Sequence, residues 1–112
     1  MDTRSATTID QATLDEIIRR ILAVASPEKI ILFGSAATGT MTADSDIDLL
    51  VVEANPGDQR KESVRIHSTL RGLGYPFDII VIGSEWFESS KNVIGGIAYP
   101  ANKYGRIIYN AA

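Results

Sequence analysis

The chain has 112 residues, 11 of them basic and 14 acidic, which is the length of one domain, and its net charge of −3 argues against an extensive nucleic-acid surface. An apolar content of 45% excludes a disordered chain, and the lack of cysteine with only one histidine excludes disulfide frameworks, thiol catalysis and multi-histidine metal sites. Because no apolar run approaches the ~20 residues of a membrane span and no signal peptide is recognised, we expect one cytoplasmic domain over residues 1–112, with residues 1–9 frayed.

The order of helix and strand patterns indicates the fold class. Thr13 and Glu16 have the spacing of a capping box, and Ser26-Pro27 ends the first helical pattern. The sequence predicts helices over residues 14–25 and 58–71, a short helix from Ser35, and helical segments over 84–87 and 93–104. It predicts strands over residues 29–33, 46–52, 77–82 and 106–109, so that helices and strands alternate along most of the chain. This order predicts an α/β fold, a small mixed sheet of about four strands flanked by helices.

Three acids stand at the beginnings of two otherwise apolar strands. Asp46 and Asp48 are two residues apart, so on a strand both project from one face, and Asp78 has the same position in the next strand. The connection from Glu53 to Pro76 is long enough for the helical crossover that joins two parallel strands. We therefore expect the three carboxylates to cluster at one edge of the sheet.

Such a cluster needs a cation, because its carboxylates repel one another and burial makes their charged forms costlier. Oxygen-only ligands suit Mg²⁺ or Mn²⁺, and two such ions about 3.5–4 Å apart clamp the attacking and leaving oxygens in nucleotidyl transfer. Asp46, Asp48 and Asp78 are therefore the candidate catalytic and metal-binding residues.

Gly34 and Ser35 directly follow the first strand and are the candidate nucleotide-binding residues. Glycine lets the backbone approach a ligand closely, and the free N–H groups of a helix that begins at Ser35 point at an anion. Taken singly, these residues form an ordinary turn, and the acids are ordinary polar residues at strand starts. Together they indicate a triphosphate cradle beside a metal site.

The combined motif resembles the polymerase β-type nucleotidyltransferase superfamily. The residues that carry the resemblance are Phe33-Gly34-Ser35, ten intervening residues, Asp46-Ile47-Asp48-Leu49, and later Phe77-Asp78-Ile79-Ile80. More narrowly, the chain is similar to the minimal nucleotidyltransferases (MNT) of HEPN/MNT toxin–antitoxin pairs, from about residue 29 to residue 109.

The resemblance implies roles for the motif residues. Asp46 and Asp48 would hold Mg²⁺, Asp78 would help bind the catalytic metal and activate the attacking hydroxyl, and Gly34 and Ser35 would hold the phosphates of ATP. The implied reaction transfers AMP to a hydroxyl of a partner protein, and the implied partner is a HEPN-like helical toxin. A second copy of the chain is the other candidate for completing the pocket.

One departure from the family pattern keeps two alternatives open. MNT proteins commonly carry arginines in the Gly-Ser loop, where this chain has Ala36, Ala37 and Thr38. A non-catalytic antitoxin would bind its toxin through an apolar surface, for which Trp86, Phe87 and Tyr99 are candidates. A small-molecule nucleotidyltransferase of the antibiotic-modifying sort is the weaker alternative, because such enzymes usually need an additional helical domain.

Overall fold

The computed structural model describes residues 9–42 and 44–111, and in this part of the chain four strands form one sheet. The strands are β1 (Lys29–Phe33), β2 (Ile47–Glu53), β3 (Phe77–Gly83) and β4 (Arg106–Asn110). They lie in the order β3-β2-β1-β4, with β2 and β3 parallel and β1 antiparallel to both β2 and β4. The predicted mixed sheet of four strands is thus confirmed.

Helices cover both faces of this sheet. They are α1 (Gln11–Val24), α2 (Ser35–Thr38), α3 (Gln59–Thr69), α4 (Ser84–Ser90) and α5 (Ala98–Tyr104). Leu49 and Val51 pack on one face with α1 and α3, whereas Leu50 and Val52 pack on the other with α4 and α5. The continuous apolar run of β2 follows from this position, since both of its faces are buried. Within the described residues no helix is long and apolar enough to cross a bilayer.

The first helix begins earlier than the capping-box pattern predicted. Its N-cap is Asp10, whose carboxylate accepts a hydrogen bond of 2.9 Å from the Thr13 N–H. Glu16 is turned outward and pairs with Arg19 and Arg20. The prediction that residue 9 is frayed is wrong, because Ile9 is only 9% exposed and belongs to the core. Residues 1–8, which were also predicted to be frayed, lie outside the described residues.

The second half of the chain follows the predicted order, with two helix bounds shifted. The helix predicted over 93–104 begins later, at Ala98, and the one predicted over 84–87 extends to Ser90. Gly95 lies between them with φ 126°, a value that residues with a side chain rarely adopt. In α4 the neighbouring aromatic residues separate: Phe87 is buried and Trp86 is 48% exposed.

Gly105 joins α5 to β4 at a point where the backbone leaves no room for a side chain. A Cβ there would lie 2.2 Å from the Ala101 carbonyl oxygen and 2.8 Å from Ile31 Cγ2. We expect Gly105→Ala to lower the free energy of unfolding by about 2–3 kcal/mol, measured by urea denaturation. Gly96→Ala is the matched control, because its Cβ would meet only Trp86, at 3.8 Å. Equal losses in the two variants would contradict this view of Gly105.

A buried acid lies at the end of β2 away from the predicted cluster. Glu53 is 7% exposed, and its Oε2 has no hydrogen-bond partner. Burial, followed by a hydrogen bond with Glu62, raises the pKa of Glu53 to about 7. The same hydrogen bond, with help from Arg65 at 2.5 Å, holds the pKa of Glu62 below its usual range. Glu53 therefore keeps its proton to a higher pH than Glu62 does.

This pair gives the fold a pH dependence of definite sign. Between the ordinary carboxyl value of 4.5 and about 7, the folded chain keeps a proton at Glu53 that the unfolded chain releases. The stabilisation is therefore complete below pH 4.5 and is lost as the pH rises through about 7. We expect the free energy of unfolding of the unmodified chain to fall by on the order of 1 kcal/mol between pH 5 and pH 8. The Glu53→Gln variant should not show this fall. Urea denaturation at both pH values measures it, and the exposed Glu85→Gln should leave the fall intact.

Candidate active site

The strand register brings the motif residues to one edge of the sheet. Because β1 and β2 are antiparallel, Phe33 at the end of β1 pairs with Asp48 near the start of β2. Because β2 and β3 are parallel, Asp48 pairs with Asp78. The turn at Gly34 and the carboxylates at 48 and 78 therefore come from three adjacent strands at the same edge.

Asp48 and Asp78 lie on the face of the sheet that α4 and α5 cover farther along the strands. Asp48 shares this face with Leu50, and Asp78 shares it with Ile80. Asp46 lies just before β2 and is exposed, as is Asp78, whereas Asp48 is half-buried. Burial, and then the charges of Asp78 and Asp46, raise the pKa of Asp48. Asp48 is thus close enough to each of the other two carboxylates to be repelled by it.

In the part of the chain that the structure describes, no salt bridge balances this negative charge. The salt bridges there join residues three or four positions apart and include none of the three acids. The donors are all carboxylate oxygens, a set that suits a hard divalent cation such as Mg²⁺. They do not converge on one point, since no three His, Cys, Asp or Glu side chains of residues 9–42 and 44–111 are arranged to hold an ion. The charge and donor chemistry fit a divalent cation, and binding one requires the side chains to turn toward each other.

Gly34 supports Asp48 directly. Its backbone has φ 69° and ψ −154°, a combination essentially restricted to glycine. A Cβ at this position would lie 2.2 Å from Asp48 Oδ2, so the carboxylate occupies the space that a side chain would fill. The turn therefore both positions Asp48 and leaves the backbone accessible beside it.

The helix expected to begin at Ser35 is present but short. α2 has four residues, and its turn closes through the N–H groups of Ala37 and Thr38, which donate to the Gly34 carbonyl at 3.1 and 3.2 Å. A single turn has a weak macrodipole. Any anion binding here would therefore depend on individual backbone N–H groups and the Ser35 hydroxyl. The loop residues at 36–38 supply no positive charge.

A cavity that no sequence pattern predicted borders Asp78. It has a volume of about 350 Å³ and lies between α3 and β3. Its lining residues are Ser63, Val64, His67, Ser68, Arg71, Phe77, Asp78 and Ile79. Residues 63 and 67 lie one helical turn apart on α3, and Arg71 follows that helix, but only the packing of α3 against β3 shows that they border the strand that carries Asp78.

Comparison with known proteins places the chain in a family. Residues 14–99 match the family model described as "Nucleotidyltransferase domain", a span that includes Gly34, Ser35 and all three acids. No curated protein matches the chain in sequence.

Three solved structures share the fold, although their sequence identities are low. A toxin–antitoxin crystal structure with AMP-PNP has a TM-score of 0.63 at 22% identity, covering 87% of this chain and 73% of that one. A mutant of the toxin–antitoxin MntA-HpeT has a TM-score of 0.62 at 20% identity, with coverages of 87% and 73%. A putative nucleotidyltransferase from Sulfolobus solfataricus has a TM-score of 0.61 at 19% identity, with coverages of 89% and 79%.

These findings confirm the resemblance stated from the sequence. The family model covers more than half of the chain, and the neighbours have the same small mixed sheet flanked by helices. The chain belongs to the nucleotidyltransferase domain family, and it has the fold of these three solved structures.

Proposed function

We propose that the chain is a Mg²⁺-dependent nucleotidyltransferase of the cytoplasm that transfers AMP from ATP to a hydroxyl of a partner protein. The observation that supports this most is the meeting of the Gly34–Ser35 turn with Asp46, Asp48 and Asp78 at one sheet edge. The family match independently supports nucleotidyl transfer.

The position of each site residue indicates the role that we propose for it. Asp46 and Asp48, with Asp78, would hold two Mg²⁺ or Mn²⁺ ions, which neutralise the phosphate charge when bound. The Gly34 backbone and the Ser35 hydroxyl would orient the phosphates. Asp78 is exposed on an edge strand of the sheet, where an acceptor hydroxyl has access.

The proposed reaction forms one P–O bond and breaks another. The acceptor oxygen attacks the α-phosphorus of ATP and forms a P–O bond, while the bond from that phosphorus to the bridging oxygen of pyrophosphate breaks. The hydroxyl proton passes to the Asp78 carboxylate. The products are an AMP ester of the acceptor and pyrophosphate.

We also propose that the chain acts as the antitoxin of a two-component pair. Two of the structural neighbours are toxin–antitoxin proteins, which supports a toxin partner. A HEPN-like helical protein is the partner that the sequence resemblance implies, and a second copy of this chain is the alternative. The open sheet edge at Asp78 supports either, because so small a chain encloses little of a substrate by itself.

The experiment is a label-transfer assay. The purified chain is incubated with ATP labelled at the α-phosphate, Mg²⁺ and the product of the neighbouring gene. Label on that protein, released by phosphodiesterase as AMP, supports the proposal. Tight binding of the two proteins without transfer would contradict it and support the non-catalytic antitoxin.

The non-catalytic alternative has one structural observation in its favour. The loop at 36–38 lacks cations, so the chain itself offers little positive charge to ATP. Its proposed apolar contact surface is smaller than expected, because Phe87 is buried and Tyr99 is half-buried, with its hydroxyl accepting from Lys103 at 3.3 Å. Trp86 is the exposed member of that set.

Metal binding should stabilise the fold by relieving carboxylate repulsion. We expect millimolar Mg²⁺ or Mn²⁺ to raise the melting temperature by about 3–6 °C, measured by scanning fluorimetry. The triple Asn variant of Asp46, Asp48 and Asp78 should melt higher without metal and show no response to it. The control replaces Asp15, Asp44 and Glu85 by their amides, which changes the net charge equally. A metal response in the site variant equal to that of the unmodified chain would contradict the metal assignment.

A further inference from the structure

The strand that carries Asp78 has a free edge. In the described residues β3 pairs with β2 on one side and with no strand on the other. The Ile47 N–H donates to the Pro76 carbonyl at 2.8 Å, and in a parallel ladder this bond fixes which residues direct their backbone groups toward β2. The residues between them direct their N–H and C=O groups outward. These outward residues are Phe77, Ile79 and Val81.

From Ile79 onward this edge lacks the features that normally prevent strand addition. The opposite edge strand, β4, has five residues, carries Arg106, and pairs with β1 through a register shift between Ile30 and Ile31. β3 has seven residues, and after Asp78 it is apolar apart from its terminal glycine. Charges and bulges protect exposed edges, so β4 is protected and β3 is suited to pairing with another strand.

The cavity between α3 and β3 lies along this free edge. Phe77 and Ile79 form its strand side, and Arg71 and His67 form part of its helix side. Val64 of α3, which also lines this cavity, is 58% exposed. A strand added to β3 would direct alternate side chains into this cavity, while its backbone bonded to the outward groups of β3.

The charge of α3 indicates the chemistry of that added strand. The region 58–71 carries four cations and two acids, in a chain whose net charge is −3. Its cations are Arg60, Lys61, Arg65 and Arg71. Of its acids, Asp58 caps the helix and Glu62 is paired with Arg65. A second copy docked edge to edge would bring two such basic helices together, whereas an acidic segment would complement them.

We propose that the free edge of β3 docks an extended acidic segment of a partner protein as a fifth strand, with acidic side chains lying along α3. This goes beyond the proposed function, since such docking requires neither ATP nor the three carboxylates. It places the segment beside Asp78, which borders the same cavity.

Short fluorescent peptides test this docking. In one peptide valine alternates with glutamate, and in its match valine alternates with lysine. Fluorescence anisotropy measures affinity for the full chain, and amide hydrogen exchange locates the binding. The glutamate peptide should bind at least about tenfold more tightly than the lysine peptide and should slow exchange at Phe77, Ile79 and Val81.

Matched variants separate the edge from general electrostatics. Lys61→Glu combined with Arg71→Glu should weaken glutamate-peptide binding by about tenfold or more, while Lys103→Glu combined with Arg106→Glu, the same charge change near β4, should alter it by less than about twofold. Ile79→Pro removes an outward N–H without touching the β2 ladder and should abolish binding. The Asp48→Asn variant should bind the glutamate peptide with unchanged affinity. A loss of AMP transfer and a loss of peptide binding can therefore be distinguished.

Several results would overturn the proposal. These are no binding of the glutamate peptide, equal losses in the two double variants, and protection of β4 in place of β3. A dimer of the peptide-free chain that protects β3 would assign the edge to a second copy. Protection of β3 by a single-stranded oligonucleotide, and not by the peptide, would assign α3 to nucleic acid.

Discussion

Asp48→Asn is expected to reduce AMP transfer by a factor of at least about 10³ while the chain remains folded. Asp48 is the half-buried member of the acid cluster, and it interacts with both other carboxylates and with Gly34. Asparagine keeps its shape but removes the charge that a divalent cation requires. The same change relieves repulsion, so the variant should melt at a higher temperature without metal.

The control for this variant is Asp44→Asn. Asp44 lies in the turn just before β2, is exposed, and has no place in the strand register that pairs Asp48 with Asp78. Label transfer and melting temperature should both match those of the unmodified chain. Comparable activity in Asp48→Asn and Asp44→Asn would show that the cluster is not the catalytic centre.

Gly34→Ala is expected to cost both stability and nucleotide binding. The new Cβ would lie 2.2 Å from Asp48 Oδ2, and the backbone at φ 69° and ψ −154° disfavours any side chain. Together these effects should lower the free energy of unfolding by about 3 kcal/mol, measured by urea denaturation. Asp48 must also move, so binding of a fluorescent ATP analogue with Mg²⁺ should be lost.

Gly39→Ala separates the backbone contribution from the clash. Gly39 also has a positive φ, 79°, but a Cβ there meets nothing within 4 Å. This control should lose only about 1 kcal/mol and should keep nucleotide binding. If both alanine variants bind the nucleotide analogue equally well, the close contact of Gly34 with Asp48 has no functional role.

Local patterns predicted most of the elements because each pattern is contained in a few neighbouring residues. The run Lys29–Phe33 is a strand with the predicted bounds, and the acids of β2 and β3 meet as the parallel arrangement required. The errors fall where a distant contact decides the outcome. Thr13 has the spacing of a cap, yet Asp10 caps the helix, and this allows Ile9 to enter the core one turn earlier.

The residues around the site show the same limit. Gly34 was chosen for its lack of a Cβ, which sequence alone reveals, but its contact with Asp48 arises from the antiparallel register of β1 and β2. His67 lies on a polar face of α3 and Arg71 lies just after that helix, and both resemble residues of any solvated surface. Their place beside Asp78 depends on how α3 packs against β3.

The amino-acid sequence by itself determined the strands, the oxygen-rich chemistry of the acid cluster and the family, because residue type and short-range spacing carry that information. The tertiary structure alone decided three further features: the raised pKa of Asp48, the proton at Glu53 and the free edge of β3. Each of these depends on which distant segments exclude water from a group or leave it unpaired. That information lies in the packing of the whole chain and in no local pattern.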